Sequence, residues 1–148
     1  MDHCKQKNLM TQAGIVLSQG EHEFEVDGLK LAYTVRGQGP LMVVQAPGWG
    51  IGSTYLENGL AYLVEHFTLV YFEPRGNGRS SRPRIEAEMS TEHMVADLDL
   101  LRRHLGVEQL TLFGHSRGAT IVLGYAERFP ERVERLILTC RAVSGRFR

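Results

Sequence analysis

The chain has 148 residues, of which 43% are hydrophobic and 23% are charged, and its 17 Lys and Arg residues balance its 17 Asp and Glu residues. This length fits a single domain with a hydrophobic core. A net charge of zero gives no reason to expect nucleic acid or an anionic membrane as a partner, and no segment approaches the roughly 20 apolar residues that span a bilayer.

Residues 1–20 are predicted to be a disordered lead-in, because their apolar run at residues 13–17 is too short for the core of a signal peptide. An amphipathic targeting helix is the less favoured alternative. Cys4 and Cys140 lie at opposite ends of the chain without metal-ligand spacing, and two reduced thiols are favoured over a disulfide. We therefore expect a cytoplasmic domain without a metal site.

The predicted domain, residues 21–140, opens with two segments in which apolar and polar residues alternate, at residues 24–26 and 29–35. Asp27 and Gly28 join these segments, and both residue types accept the positive φ angles of a tight turn. The pattern predicts an antiparallel hairpin at the edge of a sheet.

The next apolar segments are unbroken, as in strands that are covered on both faces. They predict two buried strands over residues 41–44 and 67–72, with a helix over residues 53–65 between them. A loop rich in Gly, Ser and Arg follows at residues 75–84.

A second helix is predicted to begin at Ser90 or Thr91, either of which can cap it, and to stop at Gly106. Its apolar face consists of Met94, Val95, Leu98, Leu101 and Leu105. A strand, a helix and a strand are then predicted over residues 110–113, 117–129 and 136–138. Strands that alternate with helices in this way predict an α/β fold with a mostly parallel sheet.

The last predicted strand would form a bare apolar edge of the sheet, because only a basic tail, residues 141–148, follows it. Such an edge is a liability for a soluble protein. We therefore expect these residues to form the N-terminal half of a larger fold.

The strongest chemical signal is a serine between a predicted strand and a predicted helix, in the sequence Gly114-His115-Ser116-Arg117-Gly118. A serine in so sharp a turn has a strained backbone, and its neighbours two positions away must lack bulk. Gly114 and Gly118 meet that demand. We predict that Ser116 is a nucleophile in this elbow and that His115 is a packing residue. A glycine-rich turn with an incidental serine is the less favoured interpretation.

A serine nucleophile also needs N–H groups that stabilise the oxyanion of the tetrahedral intermediate. The Arg117 N–H, at the N-terminus of the predicted helix, is one candidate. The Trp49 N–H is the other, in a loop whose glycines permit close approach to a substrate: Pro47, Gly48, Trp49 and Gly50. The Trp49 indole is expected to form a wall of the pocket. A role as a core anchor is the alternative, and both roles are compatible.

The elbow, the loop at Pro47 and the segment from Phe72 to Ser80 together resemble the α/β-hydrolase superfamily, over about residues 21–140. The nearest resemblance is to the branch of proline iminopeptidase-like enzymes and related esterases. In that branch an acidic residue and R-G-x-G-x-S follow a strand, as Glu73 and residues 75–80 do here. The resemblance implies a truncated α/β-hydrolase fold, a Ser-His-Asp triad, no cofactor, and hydrolysis of an ester, amide or related acyl bond of a small molecule.

Two departures from the branch favour a general hydrolase over an aminopeptidase. Pro47 stands where the family usually has a histidine before glycine, and Arg117 replaces the tryptophan that iminopeptidases usually carry after the serine. Ser116 also argues against the dehalogenase and epoxide hydrolase relatives, which use an aspartate nucleophile.

The largest departure concerns the acid and the base, which follow the nucleophile in this superfamily. No Asp or His occurs after Ser116, and all six histidines precede it. One hypothesis is a serine hydrolase whose Asp and His lie beyond residue 148 or on another chain, so that these residues alone are nearly inactive. The other is a non-catalytic relative that binds a small acyl ligand or a protein.

The remaining charged residues are interpreted as structural. Four arginines in the loop after the second buried strand form either a solvated surface, which is favoured, or a grip for an anionic substrate. They are Arg75, Arg79, Arg82 and Arg84. Asp97 and Asp99 lie two positions apart on a helix and do not share a face, so they are not paired catalytic acids.

Overall fold

A computed structural model of the chain describes residues 17–140. Its strands are β1 (Gly20–Val26), β2 (Leu29–Gly37), β3 (Leu41–Gln45), β4 (Thr68–Phe72), β5 (Leu110–His115) and β6 (Val133–Thr139). Its α-helices are α1 (Thr54–Gly59), α2 (Thr91–Leu105) and α3 (Arg117–Arg128). The strands form one sheet in the order β1-β2-β4-β3-β5-β6.

The predicted fold class is confirmed, with an antiparallel hairpin at one edge of the sheet and parallel strands beyond it. Asp27 and Gly28 join β1 to β2 with φ angles of 48° and 78°. The β2–β4 pair is also antiparallel, whereas β4–β3, β3–β5 and β5–β6 are parallel.

The first predicted helix is shorter than expected, so the extent over residues 53–65 is wrong. The α-helix ends at Gly59, and a 3-10 turn over Ala61–Leu63 follows it. Glycine is a weak helix former, and at φ −106° and ψ 10° Leu60 leaves the helical conformation. Leu56 and Leu60 are both buried and fix the turn against the sheet.

The second helix is confirmed in its cap and in its buried face. The Ser90 hydroxyl accepts a hydrogen bond from the His93 N–H, and Gly106 ends the helix in the left-handed conformation at φ 71°. All five predicted apolar residues of this helix are buried.

Core side chains cover both faces of the sheet, which explains the unbroken apolar runs. Along β3, Val43 belongs to the cluster that includes the apolar faces of α2 and α3. Met42 and Val44 belong to the cluster on the other face, which includes residues of α1. Successive strand residues point to opposite faces, so a strand that is covered twice needs an apolar residue at nearly every position.

The two edge strands of the sheet, β1 and β6, have different surroundings. At the N-terminal side, β1 begins at Gly20, one residue before the predicted start of the domain. The Gln19 side chain accepts a hydrogen bond from the Gly37 N–H at 2.9 Å and donates one to the Gly37 carbonyl at 2.7 Å. At the other side, β6 forms an edge with Ile137 and Leu138 exposed at 36% and 38%, as predicted. Most of the predicted lead-in and the whole basic tail fall outside the described residues.

None of the helices described between residues 17 and 140 is long and apolar enough to cross a bilayer.

Candidate active site

The carboxyl ends of the parallel strands meet at one edge of the sheet. Gln45 at the end of β3 is in register with both Phe72 and Gly114, and His115 is in register with Thr139. The loops that follow these residues therefore emerge side by side. Ligands of α/β sheets bind at this edge.

Ser116 occupies the single position between β5 and α3. Its backbone has φ 56° and ψ −122°, a conformation that non-glycine residues rarely adopt and that costs of order 1–3 kcal/mol. The Ser116 N–H donates to the Thr139 carbonyl at 3.0 Å, and the Ala119 N–H donates to the Ser116 carbonyl at 3.1 Å. These bonds tie the strained residue to β6 on one side and to α3 on the other.

The glycines on either side of Ser116 are required by close packing. A Cβ on Gly114 would lie 2.6 Å from the Ala119 Cα, and a Cβ on Gly118 would overlap the carbonyl oxygen of Gln45. Both obstructing atoms belong to the backbone, which cannot rotate away. The helix therefore approaches β3 and β5 closely enough to force the sharp turn at Ser116.

The Ser116 side chain is available for chemistry. The residue is half-buried, and its hydroxyl has no hydrogen-bond partner among residues 17–140. The neighbouring His115 contacts Tyr55 instead: the His115 Nδ1 lies 2.9 Å from the Tyr55 hydroxyl, and the two rings meet edge to face. His115 is half-buried, and its ring packs against the ring of Tyr55.

The loop after β3, residues 46–51, forms a tight turn beside the elbow. Gly48, Trp49 and Gly50 have φ angles of 80°, 51° and 91°, and the Ile51 N–H donates to the Gly48 carbonyl at 3.2 Å. Trp49 is 38% exposed, so the alternative role as a core anchor is wrong. The Arg117 guanidinium lies 4.7 Å from the centre of the Trp49 ring and links the loop to the elbow.

The two N–H groups predicted to bind an oxyanion are free in the described part of the chain. Neither the Trp49 N–H nor the Arg117 N–H donates a hydrogen bond to any acceptor within residues 17–140. Free N–H groups at a helix N-terminus and in a turn are suited to bind a developing negative charge. Their catalytic role stays a prediction.

Glu73, the acidic residue after β4, holds the loops together. It is 6% exposed; its Oε1 accepts from the Ser53 hydroxyl at 3.1 Å, and its Oε2 accepts from the Arg79 N–H at 2.7 Å. The Ser80 hydroxyl donates to the Glu73 carbonyl at 2.6 Å and accepts from the Ala32 N–H at 2.8 Å. The Glu73 carboxylate and carbonyl therefore both join the loops around the site.

The four loop arginines have different surroundings. Arg75 is neither on a solvated surface nor free to bind an anionic substrate, so both predicted alternatives fail for it. Its guanidinium is buried and binds both oxygens of Asp97, at 2.7 and 2.6 Å. The hydrogen bond to Asp97 raises the pKa of Arg75, although burial opposes this shift. Arg79 donates to the Thr34 hydroxyl at 2.9 Å, while Arg82 and Arg84 are exposed.

The second aspartate of α2 has a separate set of partners, so Asp97 and Asp99 do not form a carboxylate pair. Asp99 accepts hydrogen bonds from Arg102 at 2.9 Å, from the Tyr125 hydroxyl at 2.9 Å and from Arg132 at 2.8 Å. It joins α2 to α3 and to the segment before β6.

A cleft of about 570 Å³ opens beside the loop after β3. Its lining includes Trp49, Gly50 and Met89, with Arg82 and Glu86 among the polar residues, but not Ser116. Across residues 17–140 no group of three or more His, Cys, Asp or Glu side chains is arranged to hold a metal ion. The one described cysteine, Cys140, is a free and exposed thiol.

Sequence reasoning missed two residues of the site, Asn77 and Tyr55. The Asn77 side chain accepts a hydrogen bond from the Gly50 N–H, and Tyr55 binds His115. Asn77 occupies the variable position of R-G-x-G-x-S, and Tyr55 lies in an amphipathic helix, so no pattern marks either of them.

Residues 42–145 match the family described as alpha/beta hydrolase fold. Two curated relatives are a (lyso)-N-acylphosphatidylethanolamine lipase of Mus musculus and the 1-acylglycerol-3-phosphate O-acyltransferase ABHD5 of Sus scrofa. The chain is 36% identical to the first over 101 residues, which are 67% of this chain and 29% of the lipase. It is 33% identical to the second over 112 residues, which are 74% of this chain and 32% of the acyltransferase. The chain thus spans about a third of the length of these relatives.

Solved structures give the same result. A proline iminopeptidase-related protein of Thermus thermophilus superposes with a TM-score of 0.75 and 32% identity, over 85% of this chain and 46% of that one. An epoxide hydrolase of Bacillus megaterium superposes with a TM-score of 0.71 and 29% identity, over 79% of this chain and 41% of that one. By sequence and by fold, this chain belongs to the α/β-hydrolase family.

Proposed function

We propose that the chain supplies the nucleophile and the oxyanion-binding groups of a serine hydrolase that acts on an ester, amide or related acyl bond of a small molecule. Ser116 is the nucleophile, and the N–H groups of Trp49 and Arg117 stabilise the oxyanion. The observation that carries the proposal is the backbone of Ser116, at φ 56° and ψ −122°, wedged between two glycines that admit no side chain. Strain of this kind persists at functional sites because the surrounding structure enforces it.

The proposed chemistry is attack of the Ser116 oxygen on the acyl carbon. The carbonyl oxygen gains negative charge, which the two N–H groups stabilise, and the hydroxyl proton passes to a base. No Asp or His follows Ser116 in the 148 residues, and His115 binds Tyr55. The proposal therefore assigns the proton acceptor to a group outside these residues, and without it we expect only the small rate that oxyanion stabilisation and binding provide.

Two findings favour acyl chemistry on a small molecule. The names of two relatives, a lipase and an O-acyltransferase, both describe reactions at an acyl group. The cleft of about 570 Å³ falls in the size range of small-molecule sites and is lined by Trp49, the residue of one candidate oxyanion donor, although Ser116 does not line it.

A non-catalytic role is the second candidate, because the neighbouring His115 contacts Tyr55 and not the Ser116 hydroxyl. In that case the same cleft binds an acyl ligand or a protein segment, and the Ser116 hydroxyl makes no covalent bond.

Hydrolysis of p-nitrophenyl acetate tests the two candidates. We expect the purified chain to be nearly inactive. With added imidazole acting as the missing base, we expect a rate above that of imidazole and ester without protein, whereas Ser116→Ala should not exceed that protein-free rate. Equal rates of wild type and Ser116→Ala with imidazole would refute the catalytic proposal. An enzymatic rate without imidazole that Ser116→Ala abolishes would show that the expected inactivity is wrong.

A further inference from the structure

Asn77 connects the loop that carries Trp49 to the loop after β4. Its side chain is almost fully buried, at 3% exposure. The Asn77 Oδ1 accepts a hydrogen bond from the Gly50 N–H, and the Asn77 Nδ2 donates to the Arg75 carbonyl at 2.8 Å. One amide group thus serves as acceptor for one loop and donor for the other.

The loop after β3 needs such an external restraint. Trp49 has φ 51°, in the left-handed region that is unfavourable for a residue with a Cβ. Within the described range, the bond from Gly50 to Asn77 is the one hydrogen bond that joins the backbone of residues 48–51 to another part of the chain. Gly50 directly follows Trp49, so this bond fixes the peptide next to the candidate oxyanion donor.

Asn77 is itself anchored in the loop after β4. Its N–H donates to the Pro74 carbonyl at 3.1 Å, and its carbonyl accepts from the Ser80 N–H at 2.9 Å. The Arg75 residue that accepts from Asn77 is clamped by both oxygens of Asp97 on α2. The side chain that binds Gly50 is therefore held within its own loop, and the Arg75–Asp97 pair joins that loop to α2.

We infer that Asn77 is the positioning residue of the oxyanion loop: its buried amide holds the Gly50 peptide so that the adjacent Trp49 N–H faces the site of Ser116. The catalytic consequence rests on the proposed function, whereas the positioning itself does not. Only a side chain with an acceptor and a donor at amide spacing satisfies both partners, because an aspartate keeps the acceptor and loses the donor.

The test compares Asn77→Ala and Asn77→Asp with Ser80→Ala as a matched control. Ser80 lies in the same loop, is 8% exposed and also bridges two backbone groups, but those groups belong to Glu73 and Ala32. All three substitutions remove buried hydrogen bonds, but only Asn77→Ala removes the bond to residues 48–51, because Asn77→Asp keeps the acceptor for Gly50.

Two readouts report on the loop without any catalysis. Amide hydrogen exchange at Gly50 is expected to accelerate about tenfold in Asn77→Ala and to stay near the wild-type rate in Asn77→Asp and Ser80→Ala. Trp49 is the chain's one tryptophan, so acrylamide quenching of its fluorescence is expected to increase in Asn77→Ala and not in Ser80→Ala. An unchanged Gly50 exchange rate in a folded Asn77→Ala protein, or an equal effect of Ser80→Ala, overturns the inference.

If Asn77→Ala fails to fold, a measurement on the wild-type protein decides whether Asn77 holds the Gly50 peptide. A scalar coupling across the hydrogen bond from the Gly50 nitrogen to the side-chain carbonyl carbon of Asn77 supports the inference, and fast Gly50 exchange without that coupling overturns it.

The imidazole-dependent ester hydrolysis adds the catalytic arm. We expect the Ser116-dependent rate to fall at least about tenfold in Asn77→Ala and to remain in Ser80→Ala. An unchanged rate overturns the link between the loop position and catalysis. A wild-type chain without any Ser116-dependent rate would refute the proposed function, while the exchange and quenching results would still decide whether Asn77 positions the loop.

Discussion

The elbow at Ser116 and the loop after β3 face the same edge of the sheet, but different forces hold them. The elbow is fixed by steric contact, because backbone atoms fill the space beside Gly114 and Gly118. The loop is fixed by polar contacts, because Asn77 binds Gly50 and the Arg75–Asp97 pair supports Asn77. The position of the candidate nucleophile is thus set by packing, and that of the candidate oxyanion donor by hydrogen bonds.

This difference has a consequence for mutation. Close packing fails when an atom is added, whereas a hydrogen-bonded frame fails when a partner is removed. Substitutions can therefore disturb the two parts of the site separately.

The largest effect is expected for Asp97→Ala, which leaves the buried Arg75 guanidinium without its counter-charge. We expect the free energy of unfolding, measured in urea, to fall by about 3–5 kcal/mol. Glu23→Ala is the control, since it breaks an exposed pair with Lys30 at 4.0 Å, and it should change stability by about 0.5 kcal/mol or less. Equal losses in the two variants would contradict the role of the buried pair.

Gly118→Ala is expected to destabilise the chain by about 3 kcal/mol, because its Cβ would overlap the Gln45 carbonyl oxygen and force α3 away from β3. The control is Gly59→Ala at the end of α1, where a Cβ would meet nothing within 4 Å. That variant should be neutral or more stable by about 0.5 kcal/mol. Thermal and urea unfolding would show the contrast, and a harmless Gly118→Ala would mean that the elbow is not sterically enforced.

A smaller and pH-dependent effect is expected at Asp99. Burial raises the pKa of its carboxyl, but hydrogen bonds from Arg102, Tyr125 and Arg132 lower it more, so the pKa lies below the ordinary value of 3.8. A carboxyl whose pKa is lower in the folded than in the unfolded chain stabilises the fold above the ordinary pKa, and this contribution is lost as the pH falls through the folded value.

We therefore expect wild type to be more stable than Asp99→Asn by about 2 kcal/mol at pH 7. The gap should narrow as the pH falls below about 4. Urea unfolding of both proteins from pH 7 to pH 3 measures this difference in stability. The other titrating groups are the same in the two proteins, so their contributions cancel in the difference. A gap that is independent of pH would contradict the ionised role of Asp99.

The smallest effect is expected for Arg117→Ala, which removes the cation from the Trp49 ring. Stability should fall by less than about 1 kcal/mol, and the Trp49 emission spectrum should change. Arg128→Ala is the control, because Arg128 lies 5.1 Å from the centre of the Phe129 ring, away from Trp49. A change of tryptophan emission in Arg128→Ala but not in Arg117→Ala would show that the stacking at Trp49 is absent.

The sequence predicted the elements with strong periodicity or local chemistry. Three such features depend on residues close together in the chain and can therefore be recognised from the sequence. They are the hairpin at Asp27, the apolar face of α2 and the turn at Ser116. The early end of α1 at Gly59 was not predicted, because the amphipathic pattern continues through the following 3-10 turn.

The polar frame of the site was not predictable for a different reason. Arg75 and Asp97 are 22 residues apart, and Asn77 and Gly50 are 27 apart, so only the fold brings them together. In the sequence Arg75 was indistinguishable from its exposed loop neighbours Arg82 and Arg84. Burial, which decides the role of an arginine, is a property of the tertiary structure.

Covalent labelling of the chain with a fluorophosphonate in the presence of imidazole tests the role of Ser116 most directly. After trypsin digestion, mass spectrometry should find the adduct on the peptide from His104 to Arg117, in which Ser116 is the one serine. Gly118→Ala should reduce this labelling by displacing the hydroxyl. An adduct on another serine, or equal labelling of wild type and Ser116→Ala, would contradict the assignment of Ser116 as the nucleophile.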